Sequence, residues 1–181
     1  LALIDDDCVI DKNWVLVAER SVMFFPKTSY FIGNNMLLNK SSKIAIAQYV
    51  HQKYWFIEML NKDNNTSAFN VDTKNIIFKI ADLKIHKLKF DIDFKIGWFD
   101  NADIDMGFSM AYKGLNGRFI KELKIWHEET ESFKYFIKKG YNRGRLSYKV
   151  ANKWNLSKQF VNLDFVNWKN YLKSIKHWPG E

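Results

Sequence analysis

The sequence predicts an α/β fold: a mixed sheet flanked by helices, with a helical segment at the C-terminal end. Two patterns point there, short apolar runs that stop on polar or acidic residues and longer apolar-periodic stretches between them. The third observation is that Leu1-Ala2-Leu3-Ile4 ends abruptly on Asp5-Asp6-Asp7. Apolar residues that end on acids read as a buried strand whose C-terminal end opens onto solvent or ligand. In open α/β sheets ligands sit in the crevice beyond those strand ends. Adjacent carboxylates repel one another, and a shared hard divalent ion, Mg²⁺ or Mn²⁺, bridging to substrate phosphates would relieve that repulsion. A solvated acidic turn ahead of a helix is the other reading of the same residues.

Further along, Asp11 can cap a helix running to about Phe25, with Trp14, Val15, Ala18, Val22 and Phe25 on one face. Pro26 stops it, and Ser29 to Gly33 reads as a short strand. Ser42 to Leu60 is apolar at helical spacing, and Lys62 to Ser67 is a polar loop. A turn at Val71-Asp72-Thr73-Lys74 enters the strand Ile76-Ile77-Phe78, and a short helix covers Ala81 to Leu88. Gly97 to Asn101 is a loop carrying Trp98 at its tip. Asp103 and Asp105 open a helix that Gly114 closes; acids in a first turn favour the helix dipole whatever else they do. Arg118-Phe119-Ile120 and Leu123 to Trp126 form one strand or two and lead to His127. From Thr130 to about Ile175 the pattern is of two or three basic amphipathic helices.

A chain of 181 residues with 47% hydrophobic content is long enough for one domain with a real core. No apolar run reaches the ~18 residues of a membrane span, and no signal peptide is visible. The single cysteine, Cys8, excludes an internal disulfide, and no Cys/His spacing suggests structural zinc. It reads as a filler beside the acids, and a reducing, cytosolic compartment is the expectation. The net charge of +8 points to an anionic partner: phosphates, nucleic acid, or the acidic face of a membrane. Because the chain opens inside a core strand, we expect it to be the C-terminal part of a larger protein.

With these pieces in order, the chain resembles a family-2 glycosyltransferase of the GT-A fold, a Rossmann-like architecture. The resemblance runs from the acidic turn to about Lys149, giving a domain over 1–150 and a basic helical tail over 151–181. Leu3-Ile4-Asp5-Asp6-Asp7 followed by Asp11-Lys12-Asn13-Trp14 is similar to the family's strand, DxD motif and helix. It implies Asp7 as main metal ligand, Asp5 assisting with metal or ribose, and Asp6 beside them on the nucleotide, with Mn²⁺ or Mg²⁺ as cofactor. Thr73-Lys74-Asn75 resembles the family's T-x-N, which makes Asn75 either a sugar contact or a turn residue bonding its own backbone. Phe90-Asp91, then Asp103-Ile104-Asp105-Met106-Gly107 and Gly114, is similar to the family's F-D-x-x-F, E-D-x-D-L and closing glycine. That implies Asp103 as general base, although Ala102 stands where Glu is expected and Ser109 where Arg is common.

His127, by the same resemblance, is a metal or phosphate contact, against a structural role at a strand end. Arg143 and Arg145 could pair bidentately with a diphosphate or lipid phosphate, or lie on a solvated basic helix. Trp98 stacks on a sugar ring or belongs to the core. The implied activity is inverting transfer from a nucleotide-diphosphate sugar to a glycan or lipid-linked acceptor, with peripheral contact at the inner face of a membrane. In this family the nucleotide is gripped mostly by βαβ units ahead of the DxD strand, so weak or no transfer is expected of this chain alone. The competing class is a non-enzymatic basic module for nucleic acid or an anionic membrane surface, built from Lys-rich helices and interleaved Trp and Tyr. The basic residues are scattered, however, and no RNA- or DNA-binding signature appears.

Overall fold

The computed structural model describes residues 1–58, 65–66, 71–96 and 99–155. Strands β1 (Ala2–Ile4), β2 (Cys8–Ile10), β3 (Tyr30–Leu37), β4 (Asn65–Thr66), β5 (Asn75–Phe78) and β8 (Gly117–His127) form a six-stranded mixed sheet in the order β1-β5-β3-β8-β2, with β4 on β8. Strands β6 (Lys95–Ile96) and β7 (Phe99–Asp100) make a separate antiparallel pair. The helices are α1 (Trp14–Phe24), α2 (Lys43–Glu58), α3 (Ile80–Ile85), α4 (Ala102–Tyr112) and α5 (Phe133–Lys153). Only the β3–β8 pairing is parallel among these ladders.

Alternation along the strands divides the core into two layers. Tyr30, Ile32, Ile76 and Phe78 point to one face and meet Met106 and Met110 of α4. Phe31, Ile77, Ile120 and Ile125 point to the other and meet Trp14, Val17 and Ala18 of α1. Helix α1 therefore turns Trp14, Val17, Ala18 and Ser21 inward, whereas Val15 and Val22 of the expected stripe are exposed. Ordinary 3.6-residue spacing accounts for that correction, since Val15 and Val22 lie off the line from Trp14 through Ser21. Nor does Asp11 cap the helix. Asn13 holds the N-cap position, and the Asp11 carboxylate accepts from the Asn13 amide at 2.8 Å in a turn just before it.

The central feature is a crossing. Strand β8 pairs with β3 up to Gly33–Ile120 and resumes at Asn34–Lys124, so residues 121–123 leave the ladder. They pass directly over Gly33: a β-carbon there would overlap both the Leu123 carbonyl and the Asn75 amide nitrogen. Asn75 closes the gap, donating to the Leu123 carbonyl at 2.8 Å and accepting from Trp14 Nε1 at 2.9 Å. Geometry requires such a crossing. Residues 5–7 alone join β1 to β2, and four Cα steps reach at most ~14 Å. A flat sheet would place those strands four spacings apart, about 19 Å. The displaced second half of β8 brings β2 within reach.

Several expected boundaries move. The strand expected over Ser29–Gly33 extends to Leu37, and the stretch after the acids, expected to lead straight into a helix, first forms β2. The polar loop contributes β4. The region expected to hold two or three helices from Thr130 forms a single helix, α5, up to Lys153, running unbroken through the 150/151 boundary between domain and tail. The rest of that tail lies outside the described residues.

Candidate functional site

The register of β2 on β8 builds the site. Cys8 pairs with His127, so Asp7 arrives beside the end of β8, and the Glu128 amide donates to the Asp7 carbonyl at 3.4 Å. His127 Nε2 lies 3.3 Å from Asp7 Oδ1, and the ring is buried. On its far side Nδ1 approaches Glu129 Oε1 at 3.2 Å, close but too poorly aligned to form a hydrogen bond. The backbone around Glu129 is clamped: Asn39 donates to its carbonyl at 2.7 Å and accepts from its amide at 3.0 Å. Gln52 donates to Glu129 Oε1 at 2.8 Å and accepts from Lys74 at 3.0 Å, and Lys139 of α5 lies 3.6 Å from Oε2.

Charge sharpens this arrangement. Burial alone would raise the Glu129 carboxyl, but His127, Lys74 and Lys139 outweigh it and hold its pKa at about 2. Lys74 is desolvated, yet Asp72 at 3.5 Å, Glu129 and Asp5 raise its pKa and keep it cationic. Burial of Asp5, then repulsion from Asp72, raises its carboxyl. The Cys8 thiol is pushed up to about 12, by burial first and by Asp7 and Asp5 after it. It stays protonated at neutral pH and packs beside the core under α1, as the filler role anticipated.

Asp7, Cys8 and His127 place a carboxylate oxygen, a thiol and an imidazole nitrogen within 4.8 Å of one another. A cation taking two adjacent ligands at about 2.1 Å in octahedral geometry separates them by about 3.0 Å. The 3.3 Å between Asp7 and His127 is close to that. A buried carboxylate lies 3.2 Å behind the far ring nitrogen, on the side where the carboxylate partners of metal-bound histidines sit. Oxygen and imidazole donors suit Mn²⁺. The donor set therefore fits a divalent ion held by Asp7 and His127.

The structure brings Asp7 against His127, with Asp5 two residues back on the same turn, while Arg143 is exposed on α5, where its charge disfavours protonation of Lys74 and Lys139. Asp6 is exposed on the turn beside them. Arg145, two residues beyond Arg143, projects from a different side of α5, with its guanidinium 5.9 Å from the Tyr141 ring. Asn75 is fully buried beneath Gly33, with Trp14 and Leu123 as its partners. That corrects the sugar contact expected of it, because a side chain sealed in the core cannot meet a ligand. Trp98 lies outside the described residues.

Asp103 is half-buried in the first turn of α4, where its carboxylate accepts from the Ile104 amide at 2.7 Å. Asn101, just before that helix, donates to the Arg143 carbonyl at 3.2 Å and to Ser147 Oγ at 3.0 Å. Asp105 points into the core instead, accepting from Lys153 at 2.9 Å and from Trp154 Nε1 at 2.8 Å. The two acids thus have separate surroundings. Glu129, Lys74, Gln52 and Lys139 belong to the site and were not singled out from the sequence. Glu129, two residues past His127 and just beyond the end of β8, carries the only local signal. Comparison with protein-family models and with curated proteins finds no match to this chain.

Proposed function

We propose that this chain carries the metal-binding and acceptor-activating elements of an inverting glycosyltransferase with a GT-A-like fold, transferring a sugar from a nucleotide-diphosphate donor to an acceptor hydroxyl. The observation that carries the reading is the approach of His127 Nε2 to Asp7 Oδ1 at 3.3 Å, with ionised Glu129 behind the ring. A divalent ion bound there supplies Lewis-acid stabilisation of a leaving diphosphate. Asp7 and His127 would hold it, and Asp5 would lie close behind. Lys74, Lys139 and Arg143 add positive potential beside it for the same anion.

Asp103 is the proposed general base. It takes the proton of the acceptor hydroxyl as that oxygen bonds to the anomeric carbon, while the bond from that carbon to the diphosphate oxygen breaks and the nucleoside diphosphate leaves as the anion. One displacement inverts the anomeric centre. Support for pairing Asp103 with the cation site comes from α5, whose Arg143 carbonyl holds Asn101 while its charge reaches Lys74 and Lys139.

Coupled binding tests the reading. UDP and Mn²⁺ titrated separately and together should each raise the other's affinity by the same factor, on the order of tenfold. Asp7→Asn should remove that coupling and Asp103→Asn should keep it. Independent binding of the two ligands would overturn the assignment.

A further inference from the structure

Helix α5 has two working faces. Asn142, Leu146 and Val150 point inward, where Val150 meets Phe94 and Phe108. At about 100° per residue, Phe133, Ile137, Tyr141 and Tyr148 fall together on the opposite side. These side chains are 63%, 54%, 68% and 62% exposed. Phe136 extends the stripe, its ring centroid 6.4 Å from that of Phe133. Gly140 and Gly144 lie within it, and a β-carbon at either would meet no atom within 4 Å. The face is open.

Its flank is cationic. Over Phe133–Lys153 the helix carries seven Lys or Arg residues and no carboxylate. Lys139 and Lys153 turn to Glu129 and to Asp91 and Asp105. By the same angular count, Lys134, Lys138, Arg145 and Lys149 line one side of the apolar stripe. Apolar side chains bordered by long cationic ones, which can reach sideways to phosphates while their stems stay in an apolar phase, characterise helices that lie in a membrane interface.

We propose that the outer face of α5, from Phe133 to Tyr148, docks this protein flat on an anionic lipid bilayer. Charge complementarity selects that occupant: acidic headgroups meet the cationic flank, and the acyl boundary takes up Phe133, Phe136 and Ile137. A second copy of this chain would set cations against cations. Nucleic acid would use Tyr141 and Tyr148 as stacking platforms but would find no role for Ile137. The surface does not depend on the transferase reading.

Co-sedimentation of the full chain with vesicles decides it. The chain should pellet with an equal mixture of phosphatidylglycerol and phosphatidylcholine and stay in solution with phosphatidylcholine alone. Lys134→Ala with Lys138→Ala should weaken partitioning roughly thirtyfold, about 1 kcal/mol per cation. Phe133→Ser with Ile137→Ser should abolish it while far-UV circular dichroism and the coupled UDP–Mn²⁺ binding stay unchanged. Failure of the unmodified chain to prefer anionic vesicles overturns the proposal whatever the variants do. So does retention on a single-stranded oligonucleotide without vesicle binding, or a dimer that Phe133→Ser with Ile137→Ser dissolves.

Discussion

Glu129 shows how much a single residue decides here. Its carboxylate stays ionised although nearly inaccessible, because His127, Lys74 and Lys139 surround it. Its folded-state pKa, about 2, lies below the ordinary 4.5. The linkage is therefore fully stabilising above about pH 4.5 and is lost as pH falls toward 2. It is worth at most on the order of 3 kcal/mol. Urea unfolding across that range should show a steep loss for the native chain and a flatter profile for Glu129→Gln. The same substitution should weaken Mn²⁺ binding about 10- to 100-fold, since it removes the negative charge 3.2 Å behind the His127 ring. Cys8 behaves oppositely. With its thiol at about 12, alkylation by iodoacetamide at neutral pH should run at least roughly a hundredfold slower than for a free thiol.

Among the elements, the crossing of β8 over β3 makes the site possible, and it rests on Gly33 and Asn75. Gly33→Ala drives a methyl into the Asn75 amide and the Leu123 carbonyl, backbone that cannot move aside. Asn75→Ala strands two buried polar groups, Trp14 Nε1 and the Leu123 carbonyl. Each substitution should cost about 2–4 kcal/mol in chemical denaturation, and each should also weaken Mn²⁺ binding by disturbing the path of β8 to His127. If stability falls while Mn²⁺ affinity is unchanged, the crossing does not position His127. The sequence displayed neither residue's task. Gly33 looks like the end of a short strand and Asn75 like a turn residue, because a contact between residues 48 positions apart leaves no local pattern. What was legible was periodic: β5, and α4 opening at its acids and closing at Gly114, whose φ of +68° is a glycine's. Strand β1 does end on its acids, but as a half-exposed edge strand antiparallel to β5 and not the buried strand expected. Strand β2 escaped notice because it is three residues long with Val9 and Ile10 exposed, so it has neither length nor alternation.

At the scale of the whole molecule, the sheet carries two helical layers on its faces and gathers its charged chemistry at one edge of the crossing. Around the site and along α5 the described cations divide in two. Lys74 and Lys139 turn toward Asp72 and Glu129 of the site, and Lys134, Lys138, Arg145 and Lys149 border the open face of α5. A net charge of +8 could announce an anionic partner in the sequence, but only the helix geometry assigns cations to one surface or the other. The candidate cation site was readable in part: Asp7 and His127 stood out, while Glu129 and the Gln52–Lys74 relay depend on α2 and α5 folding back over β8.

The central claim is that Asp7 and His127 jointly hold one divalent cation. Electron paramagnetic resonance of free Mn²⁺, titrated with the native chain, with Asp7→Ala and with His127→Ala, measures it directly. The claim predicts a single site in the native chain, weakened about tenfold or more by either substitution and no further by the pair together than a shared site allows. Equal Mn²⁺ binding by all three proteins would contradict it.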